Sequence, residues 1–174
     1  MQKVMRNNMP FTEKAFDFND YFIIASILIL YAIMYLLPKR LPVSTTVLLM
    51  LFATAVPMVL DNAIGSHSID LYDIMDGPAY SVMDYTAYLL YAPFGYFFIY
   101  LYVLFSVKGF GNAFYIMTFS LFGIAFEWVC SQVGVFHYKD AYNTYYSFPI
   151  YLMTQTGFLL FYKSISSYRE KNEV

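Results

Sequence analysis

The sequence predicts an all-α polytopic membrane protein, a bundle of five transmembrane helices. Three observations predict it. The 174 residues are 60% hydrophobic and 22% aromatic, and only 13% are charged, whereas a soluble domain carries nearer a quarter. Five runs reach the ~17 to 25 apolar residues that a helix needs to cross a bilayer. Those runs are continuous, and alternation into strands fits none of them.

The elements follow in order. Residues 1–20 are polar and mixed in charge, with no early apolar core before a small-residue cleavage site, so they do not read as a signal peptide. They read as a frayed tail or as a short interfacial helix from Thr12, with Phe11, Ala15, Phe16 and Phe18 on one side. Residues 21–37 form the first span, stopped by Pro38 and Lys39-Arg40. Residues 43–60 form the second, with Pro57 near its end. Residues 85–105 form the third, containing Pro93 and Gly95. Residues 112–136 form the fourth, and residues 148–164 the fifth, followed by a polar tail over 165–174.

The loops differ in charge. Residues 61–84 hold Asp61, Asp70, Asp73, Asp76 and Asp84 with no Lys or Arg, while residues 137–147 hold one lysine. Lys39, Arg40, Lys108, Lys163, Arg169 and Lys171 gather on one side of a five-helix bundle. Lys3, Arg6, Lys14 and Lys139 gather on the other. By the positive-inside rule this places the N-terminus outside and the C-terminus inside a cell membrane. A net charge of −2 and the lack of a basic patch exclude a nucleic-acid partner. The single cysteine, Cys130, forms no internal disulfide.

Glu127 is the residue that most needs explaining, because a carboxylate in hydrocarbon costs at least ~2.5 kcal/mol. It lies nine residues before Phe136, ~13 Å along a helix. Ser120, Gly123, Ile124, Ser131 and Gly134 share its face, a stripe of mostly small residues that lets another helix come close. Thr154, Gln155, Tyr91, Pro93, Thr54 and Ser26 fall in the same half of the membrane, where polar groups are tolerated if they line a cavity. The expectation is a polar pocket open toward the acidic loops, with Glu127 near its floor and Gln155 as its partner. His137, Tyr138, Asp61 and Asp84 are expected at the rim. The simpler reading makes Glu127 a hydrogen-bonding bridge between helices, worth ~0.6 to 2 kcal/mol, and the aspartates helix caps. No pair of ligands has metal-site spacing, so no metal and no cofactor are expected.

The many tyrosines near segment ends, among them Tyr21, Tyr85, Tyr138, Tyr142, Tyr145, Tyr146 and Tyr151, read as an aromatic belt. Tyr88, Tyr96 and Tyr100 read as packing, or else as the wall of a groove for a polyprenyl ligand.

Three functions compete. The first is binding of a lipid, another hydrophobic small molecule or a partner membrane protein, in a monomer or a homo-oligomer. The second is a membrane enzyme acting on an isoprenoid or lipid, with Glu127 as catalytic general acid or base. The third is a proton-coupled transporter or channel subunit, although no inverted repeat is visible. The stretches DIMDGPAYSVMDYTAYLLYAPFGYFF and FEWVCSQVGVFHYKDAYNTYYSFPIYL resemble a group of small multi-spanning membrane proteins of Bacillus-type bacteria. That resemblance covers most of residues 20–165 and brings no activity or catalytic residue with it. Phe126-Glu127 followed by Gly134, Phe136 and Tyr138 is also similar to a motif of membrane carotenoid cyclases and hydratases. This would imply that Glu127 protonates an isoprenoid double bond.

Overall fold

The computed structural model describes residues 16–64, 71–75, 81–139 and 142–172. The expected interfacial helix near Thr12, and the loop acids Asp70, Asp76 and Asp140, lie outside these residues. The described chain is mostly helical, in five rods of which the third is broken.

Helix α1, Phe18–Leu36, starts three residues before the apolar run. The Asp17 side chain accepts from the Asn19 N–H, and Asp20 accepts from the Asp17 N–H, both at 3.0 Å. This capping box satisfies donors that the helix start would leave orphaned. Helix α2, Val43–Ile64, contains Pro57 and runs one turn past Leu60. Asp61 is therefore inside the helix and not at its end.

The third rod is split into α3, Val82–Tyr88, and α4, Tyr91–Leu104. Pro93 explains the break at Leu89–Leu90: a proline ring clashes with the carbonyl four residues earlier and offers it no N–H. That carbonyl belongs to Leu89, and the Tyr31 hydroxyl donates to it at 3.3 Å. Ser81 and Asp84 form a second capping box at the start of α3.

Helix α5, Gly111–Gln132, ends four residues earlier than its apolar run suggests. Gly134 adopts φ 81°, a region open to glycine. The Val135 N–H bonds the Cys130 carbonyl at 2.9 Å and the Gly134 N–H bonds that of Ser131 at 3.3 Å. These are the two bonds of a Schellman ending. Helix α6, Ser147–Asn172, follows a single 3₁₀ turn at Thr144–Tyr146 and continues through residues expected to form a polar tail.

Four rods are long and apolar enough to cross a membrane: α1, α2, α3–α4 taken together, and α5. Helix α6 is less apolar, with Thr154, Gln155, Thr156 and Lys163 along it. Leu28, Ile29, Leu51, Phe114 and Leu121 are exposed on the rods, as befits side chains facing lipid.

No strand is expected from the sequence, yet two short ones pair. Strand β1, Tyr72–Ile74, runs antiparallel to β2, Phe136–Tyr138, with Tyr72 opposite Tyr138 and Asp73 opposite His137. Three residues are too few for a period-two pattern to stand out. The ribbon joins the acidic loop to the exit of α5. Asn19 ties α1 to the same corner by donating to the Gly134 carbonyl at 3.0 Å.

Away from the ribbon, Leu49 and Ala53 of α2, Tyr96 and Ile99 of α4, and Phe158 and Leu159 of α6 form the main core. Gly95 permits this crossing. A Cβ there would run into the Ala53 Cβ and lie 2.8 Å from the Phe158 ring.

Candidate functional site

The helix ends set the site. The C-terminal ends of α2 and α5 and the N-terminal ends of α4 and α6 meet under the ribbon, so Asp61, Glu127, Tyr91 and Ser147 come together. They line one cavity of about 680 Å³, within the usual size range for small-molecule sites.

Glu127 is 7% exposed. Its Oε1 accepts two hydrogen bonds, from the Tyr138 hydroxyl at 2.5 Å and from the Ser147 hydroxyl at 2.6 Å. The Tyr151 side chain lies beside the same carboxylate. Tyr142 reaches it indirectly, since its hydroxyl pairs with that of Ser147 at 2.9 Å. Asp61 has an equivalent arrangement: the Tyr72 hydroxyl donates to Oδ1 at 2.5 Å, and the Tyr88 side chain stands beside the carboxylate. Its Oδ2 is buried and accepts no hydrogen bond of normal geometry. The two carboxylates feel each other's charge across the cavity.

Three tyrosines roof this end. The Tyr72 ring centroid is 6.5 Å from that of Tyr138 and 5.4 Å from that of Tyr142, and the Tyr138 and Tyr142 centroids are 5.3 Å apart. Burial, reinforced by the neighbouring carboxylate, pushes the Tyr72 and Tyr138 hydroxyls well above the ordinary tyrosine range. Burial also raises Tyr142. All three hold their protons as hydrogen-bond donors.

Below the carboxylates the lining turns apolar, with Phe52, Phe97, Phe98, Leu101, Phe119 and Phe158. From Glu127 to Thr118 along α5 the cavity spans ~13 Å. Near the loops α1 and α5 approach through Phe22 and Phe126, whose ring centroids are 6.4 Å apart. Further along, Ile33 of α1 and Thr118 and Phe122 of α5 line the cavity and are exposed. These exposed lining residues leave the cavity open along this stretch of α1 and α5.

Of the residues expected at the site, Glu127, Gln155, Thr154, Tyr91, Tyr138, Asp61 and Asp84 line the cavity. His137 does not. On β2 side chains alternate, so Phe136 and Tyr138 point inward and His137 points out to solvent. Gln155 is not the partner of Glu127. It accepts from Ser120 at 3.2 Å, seven residues or ~10 Å deeper along α5. The early end of α5 shifts the pairing, setting Ser147 and Tyr151 opposite Glu127. Glu127 also does not floor the pocket. It stands at the polar end, and the cavity continues past it toward the phenylalanines.

Asp84 serves as a cap, accepting from the Ser81 hydroxyl at 2.7 Å, while also lining the cavity. Tyr88 lines the cavity, whereas Tyr96 and Tyr100 are buried with their ring centroids 5.5 Å apart. Ser120 is fully buried and a Cβ at Gly123 would lie 3.1 Å from the Tyr151 ring, so these members of the small-residue stripe do admit α6. Among the described residues no three His, Cys, Asp or Glu side chains cluster as they would around a metal.

Tyr72, Ser147 and Tyr151 belong to the site although the sequence pattern does not single them out for it. Tyr142 and Tyr151, expected in the interfacial belt, line the cavity instead. One signal is available in the sequence: Ser147, Tyr151, Thr154 and Phe158 share one face of α6 at helical spacing. No protein-family model, curated protein or solved structure matches the chain.

Proposed function

We propose that this is an integral membrane protein, with all five rods crossing the bilayer, that binds a lipid-like amphiphile in the cavity between them. The observation that carries this reading is the polarity gradient of a single cavity. Two hydrogen-bonded carboxylates stand at one end, phenylalanines line the other, and exposed lining residues of α1 and α5 leave the cavity open. An amphiphile could enter from the membrane with its chain along the phenylalanines and its polar end under the tyrosine roof. The lysine and arginine distribution supports an N-terminus outside and a C-terminus inside, which sets the ribbon at the outer face.

Native mass spectrometry of the protein released from lipid nanodiscs tests the reading, with wild type beside Glu127→Gln. Wild type should carry a small amphiphile that the variant holds less well. Bare spectra from both proteins, at equal thermal stability, would overturn it.

A second reading rests on Asp61 and Glu127 facing one space, each held by a tyrosine. Such a pair suits general acid and base roles on a lipid or isoprenoid substrate. Under that reading Glu127→Gln would retain the bound molecule and lose its conversion.

A further inference from the structure

The charge balance of the cavity narrows the ligand class. Asp61, Asp84 and Glu127 line it, and among the described lining residues there is no Lys, Arg or His. The Asp84 carboxylate is engaged by the Ser81 backbone and hydroxyl. Glu127 and Asp61 are different: their described donors are neutral hydroxyls, which supply hydrogen bonds but no compensating charge. Asp61 Oδ2 is buried and receives no hydrogen bond of normal geometry. A buried acceptor with no well-placed donor, only the neutral Tyr88 side chain beside its carboxylate, is costly, and two carboxylates sharing a low-dielectric space repel each other. A ligand that brings both a positive charge and N–H donors meets both needs at once.

We infer that the cavity selects an amphiphile whose polar end is an ammonium group, seated between Asp61 and Glu127 with its hydrocarbon chain along Phe98, Phe119 and Phe158. This rests on the binding role proposed above and specifies its ligand. An ammonium has three donors and no acceptor, so it can serve Asp61 Oδ2 and Glu127 together. A phosphate or carboxylate head would meet the same two carboxylates with like charge. A neutral alcohol would supply a donor but leave the charge uncompensated.

The test is competition among three probes with one chain and different heads: hexadecylamine, hexadecanol and hexadecyl phosphate. Binding to wild-type protein in neutral-lipid nanodiscs would be followed by native mass spectrometry and by thermal shift. The amine should bind at least tenfold tighter than the alcohol, and the phosphate weakest. Asp61→Asn should reduce the amine-to-alcohol affinity ratio at least threefold. The wild-type ranking stands without the variant if that variant folds poorly. Equal binding of amine and alcohol, or a preference for the phosphate, would overturn the ammonium assignment and leave a lipid-binding cavity intact. Failure of all three probes to bind would overturn the binding role itself.

Discussion

Tyr72 and Tyr138 stand opposite each other across the two-stranded ribbon, and each donates a 2.5 Å hydrogen bond to a different carboxylate, Tyr72 to Asp61 and Tyr138 to Glu127. One cross-strand pair thus joins α2 to α5 over the polar end of the cavity. The ribbon also carries a half-buried ion pair on its other face, Lys139 to Asp73 at 3.1 Å, which solvent still screens.

Removing either hydroxyl should destabilise the fold. Tyr138→Phe leaves Glu127 short of a donor, and Tyr72→Phe does the same to Asp61, each by ~1 to 3 kcal/mol. Because the two tyrosines share the ribbon, the double variant should depart from additivity by more than ~0.5 kcal/mol. Reversible unfolding in mixed micelles measures all three. Additive losses would mean that the ribbon does not couple the two carboxylates.

Alkaline pH should act on the same residues. Tyr72 and Tyr138 have folded-state pKa values raised by burial and by their carboxylate neighbours, whereas an unfolded tyrosine titrates near ~10. The folded state therefore binds these protons more tightly. Their contribution is fully present below pH ~10 and is lost as pH rises above it. Stability followed against pH should fall more steeply in wild type than in the Tyr72→Phe, Tyr138→Phe double variant. Parallel curves would refute the prediction.

The Tyr31 hydroxyl is matched to the carbonyl that Pro93 leaves without an N–H. Tyr31→Phe should cost ~0.5 to 1.5 kcal/mol, the net worth of one hydrogen bond. In a Pro93→Ala background the N–H regained at that position can take the Leu89 carbonyl, so the effect of Tyr31→Phe should shrink toward zero. A double-mutant cycle reads this directly, and an unchanged effect would show that Tyr31 contributes by packing alone.

Gly95 is set by space. A methyl group there meets Ala53 and Phe158 well inside contact distance, and overpacking of this kind typically costs ~1 to 3 kcal/mol. Gly95→Ala should lower the melting temperature, and Ala53→Gly in the same chain should restore part of the loss. A Gly95→Ala protein as stable as wild type would mean that α2 and α4 can separate freely.

Much of the architecture is legible in the residues. The four most apolar rods follow from their composition, because a run that long must bury its backbone polar groups in a helix if it is to lie in lipid. Helix boundaries are less legible where capping overrides hydropathy. Asp17 and Asp20 extend α1 backward and Gly134 ends α5 early, and both signals are local enough to be seen in the sequence. The site is legible in part. Glu127 and Tyr91 stand out as polar groups within apolar runs and Asp61 as an acid at the end of one, but which residue touches Glu127 depends on how far α6 slides along α5.

The sequence by itself determined that this is a helical chain with runs long and apolar enough to cross a membrane and with carboxyl groups set among them, because composition and the cost of burying charge are properties of the residues alone. Only the tertiary structure decided the partners. Tyr138 and Ser147, not Gln155, bond Glu127, and His137 faces solvent. These outcomes depend on the Schellman turn at Gly134 and on the pairing of two three-residue strands far apart in the chain. Register between distant segments is set by their mutual packing, and neither segment carries that information on its own.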